Sequence, residues 1–163
     1  MAVTRIAING FGRIGRNAFK IANERSDLEI VAINDLTDTK TLAYLLKHDS
    51  NYGEYGRQVD FTENELIIEG KSVKVLAEKD PENLPWRDLN IDVVIESTGF
   101  FTDKDGAGKH LTAGAKRVVI SGPTKSEGVD TIVLGTNDDK VKNATPIVSN
   151  ASCTTNSLGA VMA

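Results

Sequence analysis

Apolar and polar positions near the N-terminus predict a strand, a turn and a helix in immediate succession. Residues 5–9 (RIAIN) form a short apolar run of strand type that leads directly into the stretch GFGRIG. From residue 13 to about residue 26, apolar residues recur at three- and four-residue steps, which predicts a helix that buries Ile14, Ala18, Ile21 and Ala22. A second apolar run of strand type covers residues 29–34 (EIVAIN).

The rest of the chain alternates between apolar runs and polar connections. Two short runs flank the turn residues Glu69 and Gly70, which predicts a hairpin. The near-continuous apolar run IDVVIES is typical of a strand buried on both faces. The further predicted elements are a helix at 103–113 and strands at 117–121, 131–135 and 146–150. Strands that alternate with helices predict an α/β fold with a doubly wound, mostly parallel sheet and helices on both faces.

Three glycines follow the first strand in the pattern GxGxxG. Gly10 permits a tight turn, Gly12 lets the backbone approach a pyrophosphate, and Gly15 allows the helix to pack closely. The helix N-terminus would hold phosphates through its free amide groups and its dipole. The pattern alone also fits an ordinary strand-to-helix turn. Here a strand precedes it, a helix follows, and Asp35 closes the second strand at the expected distance, so dinucleotide binding is favoured.

The end of the second strand indicates which dinucleotide binds. The Asp35 carboxylate is expected to accept hydrogen bonds from the ribose hydroxyls of the adenosine and to repel a 2′-phosphate, which favours NAD over NADP. Ligands of open parallel sheets lie outside the carboxyl ends of the strands, so Thr98 and Gly99 are further candidates for the cofactor side. The turn at residues 121–124 (SGPT) is expected on the same rim.

The only cysteine of the chain, Cys153, lies in the polar stretch SNASCTTN. If residues 146–150 are the last strand, Cys153 opens a helix, where free amides and the positive end of the dipole favour the thiolate. This arrangement suits a nucleophile, and the same amides are available to stabilise an oxyanion. The alternative is that Ser152 is simply a helix cap and Cys153 an incidental neighbour.

Composition excludes several classes of protein. A chain of 163 residues has room for one domain and the start of a second. The net charge of −4 argues against nucleic acid as the main partner. A single cysteine and the lack of a secretory signal at the N-terminus favour a cytoplasmic protein, and no apolar run approaches the roughly 20 residues of a membrane span. No metal site is predicted.

Six motifs are distributed in order over the whole chain: INGFGRIGR, AINDLTD, LLKHDS, ESTGFFT, KHLTAGAKRVVIS and SNASCTTN. Together they resemble the phosphorylating glyceraldehyde-3-phosphate dehydrogenases. The resemblance implies a Rossmann-type, NAD-binding domain over residues 1–150. It also implies that residues 151–163 are the start of the nucleophile helix of a catalytic domain.

The resemblance assigns roles residue by residue. Cys153 would be the acylated nucleophile, and Ser152 and Thr154 would help to bind the incoming inorganic phosphate. The implied cofactor-binding residues are Gly10, Gly12, Arg13, Ile14, Gly15, Asp35, Lys79, Thr98, Gly99 and Ser121. Within this set Arg13 and Ile14 would lie on the pyrophosphate, Lys79 near the adenine and Ser121 toward the nicotinamide.

The implied reaction is the oxidative phosphorylation of an aldehyde. The Cys153 thiolate would attack glyceraldehyde 3-phosphate, hydride would pass to NAD, and inorganic phosphate would cleave the resulting thioester. The family places its histidine base in the following domain, and His48 and His110 align with other positions, so both are expected to be structural or surface residues. This chain alone is therefore expected to be inactive, and its full-length form to be a homotetramer.

Two other functions remain open at this point. A free-standing NAD-binding module would keep the glycine turn without catalysis. The absence of a helix stop signal after Leu158 favours a truncated chain over such a module. An erythrose-4-phosphate dehydrogenase would share the motifs quoted above. Semialdehyde dehydrogenases are disfavoured by the complete INGFGRIGR and ESTGFFT motifs.

Overall fold

The computed structural model describes residues 3–162, which form four α-helices and a central sheet. The helices are α1 (Arg13–Ala22), α2 (Thr39–Lys47), α3 (Lys104–Thr112) and α4 (Cys153–Met162). The strands are β1 (Thr4–Asn9), β2 (Leu28–Asn34), β3 (His48–Asp49), β4 (Gly53–Glu54), β5 (Val59–Phe61), β6 (Glu65–Ile68), β7 (Lys71–Leu76), β8 (Val93–Glu96), β9 (Arg117–Ile120), β10 (Asp130–Thr131) and β11 (Ile147–Ser149). Two 3-10 helices cover Pro81–Asn83 and Asp138–Asn143.

Nine of the strands form one sheet in the order β10-β11-β9-β8-β1-β2-β7-β6-β5. Strands from β10 to β7 run parallel, and β6 and β5 extend the edge as antiparallel strands. The chain begins near the centre with β1, adds β2 on one side and later adds β8 on the other. The predicted doubly wound, mostly parallel α/β sheet is confirmed.

The helices pack against both faces of the sheet through apolar side chains. On one face, Ile6 and Ile8 of β1 pack in a cluster with Phe19 of α1 and Leu42 and Leu46 of α2. On the other face, Ala7 and Val94 pack around the fully buried Trp86, and Val118 and Ile120 pack with Ala107 of α3. Strand residues alternate between the two faces, so the continuous apolar runs reflect burial on both sides.

The buried face of α1 differs from the predicted one. Ile14 and Ile21 are 56% and 66% exposed, whereas Gly15, Phe19 and Ala22 are buried. The helix turns its smallest residue toward β1, and the Phe19 ring packs edge-on against Phe11 with 5.6 Å between the ring centroids. The helix also ends at Ala22 rather than near residue 26. The prediction of the helix is confirmed. The predicted buried face is right for Ala22, which is buried, and for the half-buried Ala18, and wrong for Ile14 and Ile21.

Helix α2 was not predicted from the sequence. The Asp38 side chain caps it by accepting a hydrogen bond from the Thr41 N–H at 2.9 Å, and Leu42, Ala43 and Leu46 are buried. The hydroxyl of Thr41 and its amide lower the pKa of the Asp38 carboxyl, as expected for an N-cap that accepts two hydrogen bonds. The capping residue Asp38 and the spacing of the apolar residues are therefore sequence signals from which α2 could have been predicted.

The predicted strand at 131–135 is shorter in the structure. Only Asp130 and Thr131 pair with β11, and the chain then turns. The Asn137 side chain accepts a hydrogen bond from the Val133 N–H at 2.7 Å, and Gly135 has a φ of +78°. A side chain that bonds a nearby backbone amide competes with strand pairing, which explains the early end of the strand.

Candidate functional site

A cleft of about 350 Å³ lies at the carboxyl ends of β1, β2 and β8, where the strand order reverses about β1. This is the place where open α/β sheets bind ligands. Its lining residues come from four successive connections of the sheet: Asn9, Gly10, Gly12, Asn34, Asp35, Leu36, Glu78, Lys79, Ser97, Thr98, Phe100 and Phe101.

The three glycines of the first turn meet different steric conditions. Gly10 has a φ of +88°, and a Cβ there would lie 2.7 Å from the Thr98 nitrogen. A Cβ on Gly15 would lie 2.1 Å from the Gly10 carbonyl oxygen, so α1 approaches the turn more closely than any side chain permits. Gly12 has no atom within 4 Å of its Cβ position. The backbone at Gly12 is therefore open to a group arriving from the cleft.

The peptide groups of Phe11 hold the turn in place. The Phe11 N–H donates to Asp35 Oδ2 at 2.7 Å, and Arg16 Nη1 donates to the Phe11 carbonyl at 2.9 Å. Gly12 is the N-cap of α1 and supplies no capping side chain. The amide groups of the first helical turn thus keep their capacity to donate to an anion, and the helix dipole favours negative charge there.

Asp35 lies at the end of β2 with both carboxylate oxygens directed at backbone amides. Besides the contact with Phe11, its Oδ1 accepts from the Thr37 N–H at 2.9 Å. Each carboxylate oxygen can accept more than one hydrogen bond, so the group retains capacity for hydroxyl donors. Lys79, which is exposed, also lines the cleft and follows β7, the strand that pairs with β2.

Two charged residues with shifted pKa values border the cleft: Arg16 beside the glycine turn, and Asp80 beside Lys79. Burial lowers the pKa of the Arg16 guanidinium, and the nearby carboxylates of Asp49 and Asp35 partly offset that effect. Its Nε atom is buried without a hydrogen-bond partner among residues 3–162. The hydrogen bond from Lys109, at 2.9 Å, lowers the pKa of Asp80, the residue after Lys79. That ion pair fastens α3 to the wall that carries Lys79.

Buried polar residues underlie the cleft, and the sequence analysis did not assign them to the site. Asn9 and Asn34 close the apolar strands β1 and β2, and both are buried, as are Glu96 and His110. The sequence signal is an amide or carboxylate at the end of an otherwise apolar strand. His110 is a structural residue of this buried network and contacts the Glu96 carboxylate. His48 lies elsewhere: it is half-buried, and its Nδ1 is 3.4 Å from the Glu54 carboxylate.

Cys153 is the first residue of α4 and is exposed. The Ser152 hydroxyl accepts a hydrogen bond from the Thr155 N–H at 3.0 Å, which makes Ser152 the cap of the helix. It also lies 2.9 Å from the Thr154 hydroxyl. The Asn156 side chain donates to the carbonyl of Asn150 at 2.7 Å and ties the helix to the end of β11. The predicted helix start at the thiol is confirmed.

The sequence-predicted residues fall into two groups. Gly10, Gly12, Asp35, Lys79 and Thr98 line one cleft, and Arg13 and Ile14 are exposed at the start of α1 above the buried Gly15. Gly99 follows Thr98 with a φ of +80°, and the Ser121 N–H donates to the Glu96 carbonyl at the end of β9. Ser152, Cys153 and Thr154 form the second group, outside the lining of this cleft.

Among residues 3–162, no group of three or more His, Cys, Asp or Glu side chains is placed to hold a metal ion. None of the helices in that range has the length and apolar character needed to cross a membrane.

Comparison with known proteins identifies the family. Residues 4–104 match the family model described as "Glyceraldehyde 3-phosphate dehydrogenase, NAD binding domain". Glyceraldehyde-3-phosphate dehydrogenase of Thermotoga maritima is 54% identical over 162 residues, which are 98% of this chain and 48% of that protein. The enzyme of Geobacillus stearothermophilus is 54% identical over 97% of this chain and 47% of its own length. That of Borreliella burgdorferi is 55% identical over 94% and 47%.

The chain thus spans about half the length of the curated relatives it matches. The matched region contains the glycine turn, Asp35 and Thr98, which are the residues that build the cleft. Fold, cleft and family model agree, and the chain belongs to the family of NAD-binding domains of glyceraldehyde 3-phosphate dehydrogenases.

Proposed function

We propose that this chain binds NAD in the cleft at the carboxyl ends of β1, β2 and β8, as the cofactor-binding part of a phosphorylating glyceraldehyde-3-phosphate dehydrogenase. The observation that carries the proposal is the open backbone at Gly12 beside an uncapped helix N-terminus, with the Asp35 carboxylate across the turn. A pyrophosphate needs the first two features, and an unphosphorylated ribose fits the third.

The cofactor residues have distinct roles in this proposal. The amides of Gly12, Arg13 and Ile14 bind the pyrophosphate, while Gly10 and Gly15 give the turn its shape. Asp35 accepts hydrogen bonds from the adenosine ribose, and Lys79 borders the adenine. Three further residues lie along the cofactor toward the nicotinamide: Thr98, Gly99 and Ser121.

The complete protein is proposed to act on glyceraldehyde 3-phosphate and inorganic phosphate. Bound NAD supplies an acceptor for hydride. Cys153 is the nucleophile that attacks the aldehyde, since it is an exposed thiol in the first turn of α4, at the positive end of the helix dipole. Ser152 and Thr154 hold the attacking phosphate, which fits hydroxyls 2.9 Å apart beside that thiol.

The organisation proposed for the full-length enzyme follows from the same assignment. Residues 1–150 are the dinucleotide-binding domain, and residues 151–163 begin the nucleophile helix of a catalytic domain. An exposed nucleophilic thiol requires a reducing environment, which supports a cytoplasmic location. The assembled enzyme is proposed to be a homotetramer, and light scattering of the full-length protein tests this.

Separate calorimetric titrations of NAD and NADP test the proposed function. We expect NAD to bind and NADP to bind at least about 100-fold more weakly, because a 2′-phosphate would meet the Asp35 carboxylate in a partly desolvated site. The variant Asp35→Asn removes the charge and keeps the size of the side chain, and it gives up one of the two hydrogen bonds from the Phe11 and Thr37 amides, because an amide nitrogen cannot accept. It is expected to reduce the discrimination between the two cofactors to about tenfold or less.

The exposed residue Asp60 provides the matched control for Asp35. It lies on the edge strand β5, away from the cleft, and Asp60→Asn makes the same change of charge. This variant should retain the full preference for NAD. If the wild-type chain binds neither cofactor, or binds both equally well, the proposed function of this cleft is wrong.

Cys153 is expected to react with iodoacetamide about two to five times faster than an ordinary exposed thiol at neutral pH, because the helix N-terminus stabilises the thiolate. Mass spectrometry of the alkylated chain measures the rate. The reference for an ordinary exposed thiol is a separate variant that carries Ser50→Cys together with Cys153→Ser. Ser50 is exposed in a turn outside any helix. Equal rates at the two positions would contradict the role of the helix terminus.

A further inference from the structure

A chain of hydrogen bonds runs beneath the cleft and joins the ends of three strands. Glu96 Oε2 accepts from Asn9 Nδ2 at 2.6 Å, and Asn9 Oδ1 accepts from Asn34 Nδ2 at 2.7 Å. Asn34 in turn pairs with the backbone of Glu78, accepting from its N–H at 2.8 Å and donating to its carbonyl at 2.9 Å. The carboxylate of one strand is thereby linked to the loop that carries Lys79.

The same carboxylate also holds the opposite wall. Glu96 Oε1 accepts from both the N–H and the hydroxyl of Thr98, with 2.8 Å to the nitrogen. The Thr98 hydroxyl oxygen then accepts from the Phe100 N–H at 3.1 Å. Thr98 and Phe100 both line the cleft. One buried side chain, Glu96, therefore bonds directly or through two asparagines to both walls.

The direction of every hydrogen bond in this network is fixed by groups that cannot change roles. The Trp86 indole only donates, and it donates to His110 Nδ1 at 2.9 Å. His110 is therefore neutral with its proton on Nε2, which donates to Glu96 Oε2 at 2.9 Å. Glu96 receives four donors and is 1% exposed. An ionised carboxylate satisfies all four, and any other side chain leaves at least one unpaired.

We propose that Glu96 is the positioning residue of the cofactor cleft: it fixes Thr98 on one wall and the backbone at Glu78 and Lys79 on the other. The proposal rests on the proposed NAD binding for its consequence but on the hydrogen-bond network for its geometry. Glu96 does not line the cleft, so it acts through Thr98 and the two asparagines. The neutral His110 and Trp86 hold it from the side away from the cleft.

Hydrogen exchange measured on the chain without cofactor tests the geometry. In Glu96→Gln the amide group brings two donors into a site that supplies only donors. The amides of Thr98 and Glu78 are expected to exchange about tenfold faster than in the wild type. The Thr98 N–H loses a well-placed acceptor on residue 96, and Asn34, which accepts from the Glu78 N–H, loses its support through Asn9. The amides of α2 should be unchanged. Exchange at Glu78 is the sharper readout because it is reached only through Asn9 and Asn34.

The control is Glu63→Gln, which makes the same change of charge at an exposed position outside the cleft. It should leave both amides at their wild-type rates. Wild-type exchange at either Thr98 or Glu78 in Glu96→Gln would overturn the proposal. If the wild-type chain fails to bind NAD, the proposed function fails, and this experiment still decides the role of Glu96.

A double-mutant cycle on NAD affinity tests the functional consequence. Glu96→Gln and Thr98→Val are each expected to weaken NAD binding about tenfold, and the double variant should be no weaker than the single ones. Effects that multiply would mean that Glu96 does not act through Thr98, which would overturn the proposal.

Variants at Thr98 decide the question if Glu96→Gln fails to fold. Thr98 is only half-buried, and Thr98→Ser keeps the hydroxyl that Glu96 accepts from, whereas Thr98→Val removes it. The amide at position 98 should exchange as in the wild type in the serine variant and about tenfold faster in the valine variant. Equal exchange in the two variants would count against the proposal.

Discussion

Gly15→Ala is expected to destabilise the chain by at least about 3 kcal/mol. The added Cβ would lie 2.1 Å from the Gly10 carbonyl oxygen, 3.0 Å from Ser97 Oγ and 3.1 Å from a methyl group of Ile8. The closest of these atoms belongs to the backbone of the turn, which cannot move without shifting β1. Urea denaturation followed by circular dichroism measures the loss.

Gly12→Ala is the matched control for Gly15→Ala. Its Cβ would meet no atom within 4 Å, and its φ of −69° suits any residue. We therefore expect stability within about 1 kcal/mol of the wild type, since alanine is a poorer N-cap than glycine. NAD binding should nevertheless be lost, because the methyl group occupies the approach to the helix amides. Equal destabilisation by the two variants would contradict the distinct roles of these glycines.

Trp86→Ala is expected to cost about 3–5 kcal/mol of folding free energy, because it leaves a cavity in the core around a fully buried side chain. Trp86→Phe fills most of that volume but removes the indole N–H that donates to His110. It is expected to cost about 1–3 kcal/mol, mainly because His110 Nδ1 then stays buried without a donor.

The comparison between the two tryptophan variants separates packing from hydrogen bonding. Trp86 is the only tryptophan of the chain, so unfolding of the variants is followed by circular dichroism rather than fluorescence. A phenylalanine variant as stable as the wild type would mean that His110 finds another donor. The tautomer of His110 would then no longer be fixed by Trp86.

The sequence predicted the α/β class, the glycine turn and the helix start at Cys153, because each depends on short-range patterns. It placed Ala22 correctly on the buried face of α1 but added Ile14 and Ile21, which are exposed, because spacing alone could not distinguish these two from Phe19. The deciding factor is the contact of Gly15 with the Gly10 carbonyl, which rotates the helix about its axis. That contact exists only once the strand, the turn and the helix are assembled.

The buried polar network is a second feature that local patterns do not specify. Glu96 and His110 are 14 residues apart, and Glu96 and Asn9 are 87 apart, so no motif of ordinary length contains their pairing. The sequence assigned His110 a structural or surface place, and the structure puts it in the interior. A charged residue that closes an apolar strand is the signal that its partner should be sought elsewhere in the chain.

The central place of β1 in the sheet affects how the chain folds during synthesis. Among the strands of this sheet, β1 leaves the ribosome before the others and can pair with β2 soon afterwards, but its other edge stays unpaired until β8, which begins at Val93, has been made. At about 5–20 residues per second this delay is on the order of several seconds. Throughout that time the open edge of β1 is available to other nascent chains and to chaperones, whereas Ile6 and Ile8 can already pack against α1 and α2. The central strand of the finished sheet is thus the strand most exposed to misassociation during synthesis.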